Sequence, residues 1–208
     1  MTTYRWHEIG DVPSEPGVYA WYYVPEVTAF DLDRVVTTVE ALKAGGHLGE
    51  AKEALRAFLD TSIFQYFRER SYDASLSGPL KPRYRGLVEH VPTLSESLLD
   101  RLIEDTGRLA VIRTVLETSA PDFASPIYIG MSERLSTRLK QHKSLIEKYG
   151  EQDAGPSTEN RDRSFAREIR MRKIPPQRLF VKVKVVPGAF VDIENILNRI
   201  HYPLLGRN

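Results

Sequence analysis

Residues 16–23 read Pro-Gly-Val-Tyr-Ala-Trp-Tyr-Tyr, an aromatic and β-branched run that stops before Pro25. Such a run with proline at its borders is typical of a strand. Residues 126–130, Pro-Ile-Tyr-Ile-Gly, form a second short apolar run, and residues 179–186 alternate apolar side chains with lysine. Alternation with period two indicates a half-exposed strand. Three short strands among helices predict a small sheet of the α+β class.

Helical spacing dominates the rest of the chain. Between the first two strands, apolar residues recur at helical intervals over 31–44, about 50–70 and 95–116. Asp31 is the expected cap of the first of these helices, and residues 71–93 predict a loop, with a short strand at 87–88 as an option. Further helices are predicted over about 132–149, 161–173 and 190–200. The predicted organisation is a core, 1–30 and 119–208, that carries a mainly helical insertion, 31–118, for assembly or DNA recognition.

The amino-acid composition excludes several kinds of structure and function. The 208 residues are 41% hydrophobic and 27% charged, which is ordinary globular composition. Cysteine is absent, which excludes disulfides, thiol catalysis and cysteine zinc sites. No apolar leader and no run of about 18 apolar residues occurs, so we expect no membrane partner and a cytoplasmic location.

Charge is unevenly distributed along the chain. Residues 1–126 carry 13 Lys and Arg against 19 Asp and Glu, whereas residues 127–208 carry 16 against 9. A basic C-terminal part suits a polyanion such as nucleic acid, although a solvated helical surface gives the same count.

Common catalytic signatures are missing from the sequence: it has no P-loop, no dinucleotide-binding glycine motif, no H-E-x-x-H and no G-x-S-x-G. An ordered set of other residues remains. Gly17-Val18-Tyr19 opens the first strand and Tyr128-Ile129-Gly130 lies in the second. Arg138 and His142 follow four positions apart, on one helix face, and Glu194 lies early in the last helix.

In this order, these residues resemble the GIY-YIG nuclease superfamily, most closely its restriction-endonuclease branch. The resemblance covers residues 13–24 and 126–208. It implies a short antiparallel sheet flanked by helices, here with a large helical insertion between the first two strands. It also implies hydrolysis of a DNA phosphodiester with one divalent ion, Mg²⁺ or Mn²⁺.

The resemblance implies a role for each residue. Glu194 would be the metal ligand, since Mg²⁺ prefers carboxylate oxygen and otherwise keeps waters. Arg138 would clamp the scissile phosphate with its planar fork. Tyr19 would be the general base or the relay to it, and Tyr128 would orient the water or the phosphate. His142 would assist proton transfer or hold a phosphate oxygen.

Each of these residues also has a structural interpretation. The tyrosines could be sheet aromatics, the histidine a satisfied interfacial side chain, and the arginine a solvated helix cation. Glu194 could simply be a first-turn carboxylate that the helix dipole stabilises. The asparagine that the resemblance implies could be Asn208, Asn195 or Asn198, because Gly206 occupies the usual place after Pro203.

Nucleic-acid contacts are expected mainly from the basic segment 161–184, whose alternative role is to solubilise the surface. The candidate residues are Arg134, Lys140, Arg161, Arg163, Arg167, Arg170, Arg172, Lys173, Lys182, Lys184 and Asn208. A smaller basic cluster surrounds Tyr84.

The function expected from this pattern is cleavage of double-stranded DNA in a restriction or defence role. One site per chain would require a homodimer to cut both strands. The alternatives are a non-catalytic nucleic-acid-binding module on the same fold, or an interaction protein built on the helical block.

Overall fold

The computed structural model of the chain describes residues 1–69, 71–79, 83–89, 93–151 and 161–206. It combines short antiparallel strands with helices, which is compatible with the predicted α+β class. The strands are β1 (Thr2–Arg5), β2 (Gly17–Tyr23), β3 (Tyr72–Leu76), β4 (Tyr84–Val88), β5 (Tyr128–Ser132) and β6 (Leu179–Val185). The helices are α1 (Ala29–Ala44), α2 (Leu48–Ser62), α3 (Glu96–Glu104), α4 (Arg108–Phe123), α5 (Leu135–Glu151), α6 (Arg161–Met171) and α7 (Phe190–His201). No helix among the described residues has the length and apolarity needed to cross a bilayer.

The chain divides into two compact units. The first unit comprises Met1–Glu26 and Thr114–Asn208, and the second comprises Val27–Arg113. The four-stranded sheet belongs to the first unit, and the second is mainly helical. The predicted insertion, 31–118, begins and ends slightly later in the chain than this second unit.

The sheet of the first unit has the strand order β1-β6-β2-β5, and every neighbouring pair is antiparallel. Strand β2 is central, and its Tyr19 lies opposite Gly130 of β5 and Val183 of β6. The first two predicted strands are therefore direct neighbours, although the second unit interrupts the chain between them.

The two faces of this sheet differ because side chains alternate along each strand. Tyr19, Trp21 and Tyr23 of β2 lie on one face, called here the aromatic face, and all three are almost fully buried. Ala20 and Tyr22 lie on the opposite face. Their cluster contains Ile129 and Phe180, and Leu197 of α7 packs against it. Burial of each large side chain contributes about 1.5–3 kcal/mol, so this double-sided burial anchors β2 at the centre of the unit.

The second unit packs α1, α2 and α3 around one apolar cluster that includes Leu55 and Leu99, both fully buried. Thr28, not Asp31 as predicted, caps α1: the Asp31 amide donates to Thr28 Oγ1 at 3.0 Å. A hydroxyl placed three residues earlier takes the cap, and Asp31 becomes the favourable first-turn carboxylate.

The structure differs from the sequence prediction at three further places. Residues 71–93 contain a hairpin, β3 and β4, in place of the predicted loop, because the alternation in these two short, exposed strands is outweighed by the Ser, Gly and Pro residues around them. The predicted helix 50–70 ends at Ser62 and is followed by a 3₁₀ turn over Phe64–Phe67. Strand β1 was not predicted, since its only structural support is pairing with the distant β6.

Candidate functional site

Two glycines allow the strands of the site to approach each other. A Cβ on Gly17 would lie 2.2 Å from the carbonyl oxygen of Lys184, so no other residue fits between β2 and β6 there. A Cβ on Gly130 would lie 2.6 Å from both the hydroxyl oxygen and Cζ of Tyr19. The Tyr19 ring therefore lies directly across the β5 backbone at Gly130. Both glycines have a steric reason to be glycine.

The centre of the site is a hydrogen bond between β2 and α5. The Tyr19 hydroxyl and His142 Nε2 are 2.8 Å apart, and each residue is 1% exposed. Helical spacing supplies this contact, because buried Leu135 and Leu139 hold α5 on the sheet and His142 continues the same stripe. In a low-dielectric setting, such a bond fixes the position of both rings.

Tyr128 joins the pair from β5. Its ring centroid lies 5.8 Å from that of His142 and 6.3 Å from that of Tyr19. Phe165 of α6 closes the cluster, with centroids 4.7 Å from Tyr128 and 5.2 Å from His142. The Tyr128 side chain is half-buried, whereas those of Tyr19 and His142 are buried, so Tyr128 has the greatest access to solvent of the three. The sequence argument did not predict Phe165 as part of the site, although its helical spacing in α6 marks it as a buried position.

The burial of Tyr19 limits its chemistry. A group that is 1% exposed does not meet a water or a phosphate directly. Of the two predicted roles, general base and relay to it, this burial favours a relay through His142, and both stay predictions. As a sheet aromatic, Tyr19 is more deeply buried than the predicted half-buried position.

Arg138 lies one turn before His142 and is only partly exposed. It lines an open cleft of about 360 Å³ at the junction of β5 and α5. The other polar residues that line this cleft are Ser132, Glu133, Arg134, Thr137 and Gln141. The described lining of the cleft thus holds two guanidinium groups and one carboxylate, a composition that suits a phosphate.

Glu194 is placed differently. It lies in the second turn of α7, and Leu197 of that helix packs against the sheet face opposite to Tyr19. Among the described residues, the half-buried Glu194 carboxylate forms no hydrogen bond or ion pair with Tyr19, Tyr128, Arg138 or His142. The structure thus gathers four of the five predicted catalytic residues along β2, β5 and α5, and leaves the fifth on a separate helix.

The donor set fits a weakly ligated hard cation. Within the described part of the chain, no three His, Asp or Glu side chains are grouped closely enough to hold a metal together. A single carboxylate is compatible with Mg²⁺, which keeps most of its waters and takes only one or two protein carboxylates. The Glu194 carboxylate, with no protein partner in the described residues, could serve as that ligand.

The predicted nucleic-acid residues do not form one surface. Lys182 and Lys184 lie opposite Ala20 and Val18, so both are on the face opposite to Tyr19. Lys182 is also engaged, because its Nζ donates to the Pro121 carbonyl at 2.6 Å and lies 5.1 Å from the centroid of the Tyr22 ring.

The predicted nucleic-acid residues in and after α6 also differ in exposure and in ion pairing. Arg172 pairs with Glu168 and its side chain is 11% exposed. Exposed or partly exposed cations remain at Arg167, Arg170 and Lys173. Arg161 and Arg163 lie in α6, but their side chains, like all of Asn208, fall outside the described residues. Arg134 and Lys140 are exposed on α5.

Replacing Gly130 with alanine tests the packing of the site. The added methyl would collide with Tyr19, so we expect a destabilisation of about 1–3 kcal/mol. Urea unfolding followed by tryptophan fluorescence measures it, because both tryptophans, Trp6 and Trp21, belong to the first unit. Gly188→Ala is the matched control, since a Cβ there meets nothing within 4 Å. Equal unfolding midpoints for the two variants would contradict this description of the site.

Comparison of the chain with protein families, with curated proteins and with solved structures finds no match.

Proposed function

We propose that the chain is a metal-dependent endonuclease of the GIY-YIG type that hydrolyses DNA phosphodiester bonds. One observation carries the proposal: the 2.8 Å contact between the Tyr19 hydroxyl and His142 Nε2 joins two distant motif segments, and the Tyr128 ring of the third packs against both. Three segments that a nuclease interpretation requires together thus converge on one face of one sheet.

The proposed mechanism assigns work to each residue. Arg138, in the cleft, binds the scissile phosphate through its planar fork and neutralises charge that develops on the phosphoryl oxygens. Tyr128, the most accessible of the three polar rings Tyr19, Tyr128 and His142, orients the attacking water or the phosphate. His142 and Tyr19 hold that ring in place through their hydrogen bond and offer a route for a proton.

Glu194 would hold Mg²⁺ or Mn²⁺. The ion, when bound, supplies Lewis acidity and lowers the pKa of a coordinated water. The carboxylate of this half-buried side chain fits the task by its type and by its lack of a protein partner in the described residues. The proposed substrate is double-stranded DNA, cut in a restriction or defence role in the cytoplasm. A homodimer would supply the second site for the second strand.

Incubation of the full chain with supercoiled plasmid tests the proposal. With Mg²⁺ we expect nicked or linear product, and with EDTA we expect none. Discrete fragments would indicate sequence specificity. Absence of metal-dependent cleavage on DNA that the protein demonstrably binds would contradict the proposal.

A second candidate function is a nucleic-acid-binding module without turnover. The position of Glu194 favours it, since in the described part of the chain this carboxylate forms no hydrogen bond or ion pair with the other four residues. Such a module would retain the arginine-lined cleft and shift the mobility of DNA without cutting it.

A further inference from the structure

The outer face of α5 carries a second hollow beside the Arg138 cleft. It has a volume of about 710 Å³ and shares Thr137 and Gln141 with the 360 Å³ cleft. The two cavities therefore adjoin on α5, and together they are called here the α5 groove. Its far end is formed by Lys140 and Ser144.

The lining of the hollow has a definite chemistry. Its polar residues are Ser14, Ser136, Thr137, Lys140, Gln141 and Ser144. Among the described residues that line it, none is acidic, and one is a cation. Hydroxyl and amide donors beside a cation are the groups that contact phosphate and sugar in protein–DNA interfaces.

Two cations of the groove, Arg134 and Lys140, are available for binding. In the described part of the chain, neither Arg134 nor Lys140 has an acidic partner for its side chain, and both are exposed. In the basic segment, Lys182 is held by a carbonyl and Arg172 by a carboxylate. The exposed or partly exposed cations of that segment, Arg167, Arg170 and Lys173, line neither cavity of the groove. Free cations that line a cavity are better placed to follow a backbone than cations that already have partners.

We propose that the α5 groove, and not the basic segment 161–184, holds the substrate strand next to the scissile phosphate. The inference rests on the proposed function for the position of that phosphate at Arg138. From Arg138 to Ser144 the helix rises about 9 Å. Adjacent phosphates of one DNA strand are farther apart than their rise of about 3.4 Å along the duplex axis, so this length spans about two phosphates. The groove thus binds about two phosphates on one side of the cleavage point.

Equilibrium binding tests the groove separately from cleavage. The full chain carrying Glu194→Ala is titrated against a fluorescein-labelled 20-base-pair duplex, and anisotropy is followed at several salt concentrations. Lys140→Ala in this background is expected to raise Kd roughly three- to tenfold and to lower the salt slope by about 0.9, the value for one lost phosphate contact. Ser144→Glu, which places a carboxylate in the groove, is expected to raise Kd about tenfold.

The controls lie on the same helix. Lys148 is exposed on α5 beyond the groove, so Lys148→Ala is expected to leave Kd within about twofold. Ser144→Ala separates the loss of a hydroxyl from the gain of a charge, and thermal melts verify that each variant is folded. Equal effects of Lys140→Ala and Lys148→Ala would overturn the proposal, because attraction would then be diffuse. Unchanged binding in both groove variants, with loss in Arg167→Ala, would overturn it in favour of α6.

The proposed function can fail independently. If the chain without the Glu194 substitution cuts no DNA with Mg²⁺ but the groove variants weaken binding as expected, the groove stands and the nuclease proposal falls. If it cuts DNA and the groove variants bind like their parent, the groove falls and the nuclease proposal stands.

Discussion

Replacing Arg138 with alanine is expected to lower the single-turnover rate of DNA cleavage by about a thousandfold. The guanidinium lies in the cleft one turn from His142, where it can neutralise charge that builds on the phosphorus in the transition state. The measurement is the cleavage rate of a labelled duplex at saturating protein, with circular dichroism to verify folding. Arg138 is partly exposed, so we expect little change in stability.

Two controls sharpen the Arg138 result. Arg138→Lys keeps the charge and loses the fork, so it should recover only part of the rate. Lys148→Ala removes a cation from the exposed surface of the same helix and should cleave at the original rate. If Arg138→Ala cut as fast as Lys148→Ala, the cleft would not be the position of the scissile phosphate.

Replacing His142 with alanine is expected to have the largest effect on stability. The side chain is 1% exposed, and its removal leaves a cavity and takes away the hydrogen bond between His142 and the buried Tyr19 hydroxyl. The expected loss is about 3 kcal/mol in the free energy of unfolding, with cleavage reduced at least a hundredfold. Urea unfolding followed by tryptophan fluorescence reports it, because the Trp21 ring centroid lies 6.4 Å from that of His142.

A double-mutant cycle isolates the hydrogen bond itself. Tyr19→Phe removes the hydroxyl and keeps the ring, so we expect a coupling free energy of about 1 kcal/mol between this change and His142→Ala. Additive effects of the two substitutions would show that the 2.8 Å contact contributes nothing to the fold. Tyr22→Phe, on the opposite face of the sheet, is the matched control and should not couple to His142.

Local pattern was sufficient to place several elements. The run around Tyr19 predicts β2 because it is rich in aromatic and β-branched residues. The structure buries the side chains on both faces of this strand. The helical spacing of Leu135, Leu139 and His142 predicts α5, and Arg138 lies four positions before His142 on that helix. That spacing also predicts that Arg138 and His142 lie on neighbouring turns, and the structure places them there.

Long-range pairing was not predictable from the same pattern. Whether Tyr19 is exposed or buried depends on His142, which comes from a later helix. The face taken by Lys182 follows from its register with Ala20, which alternation within β6 alone does not define. Strand β1 has no signal of its own, since pairing with β6 is what orders it.

The proposed mechanism depends on Glu194 as the metal ligand, and this role needs a direct test because α7 packs on the sheet face opposite to Tyr19 and Tyr128. The most direct measurement is the single-turnover cleavage of a labelled duplex with Mg²⁺ by the unmodified chain and by Glu194→Gln, which keeps the size and removes the charge. If this carboxylate holds the metal, cleavage falls about a thousandfold and Kd for the duplex stays within a factor of two. Equal cleavage rates for the two proteins would contradict the account, because the proposed metal ligand would then have no part in the reaction.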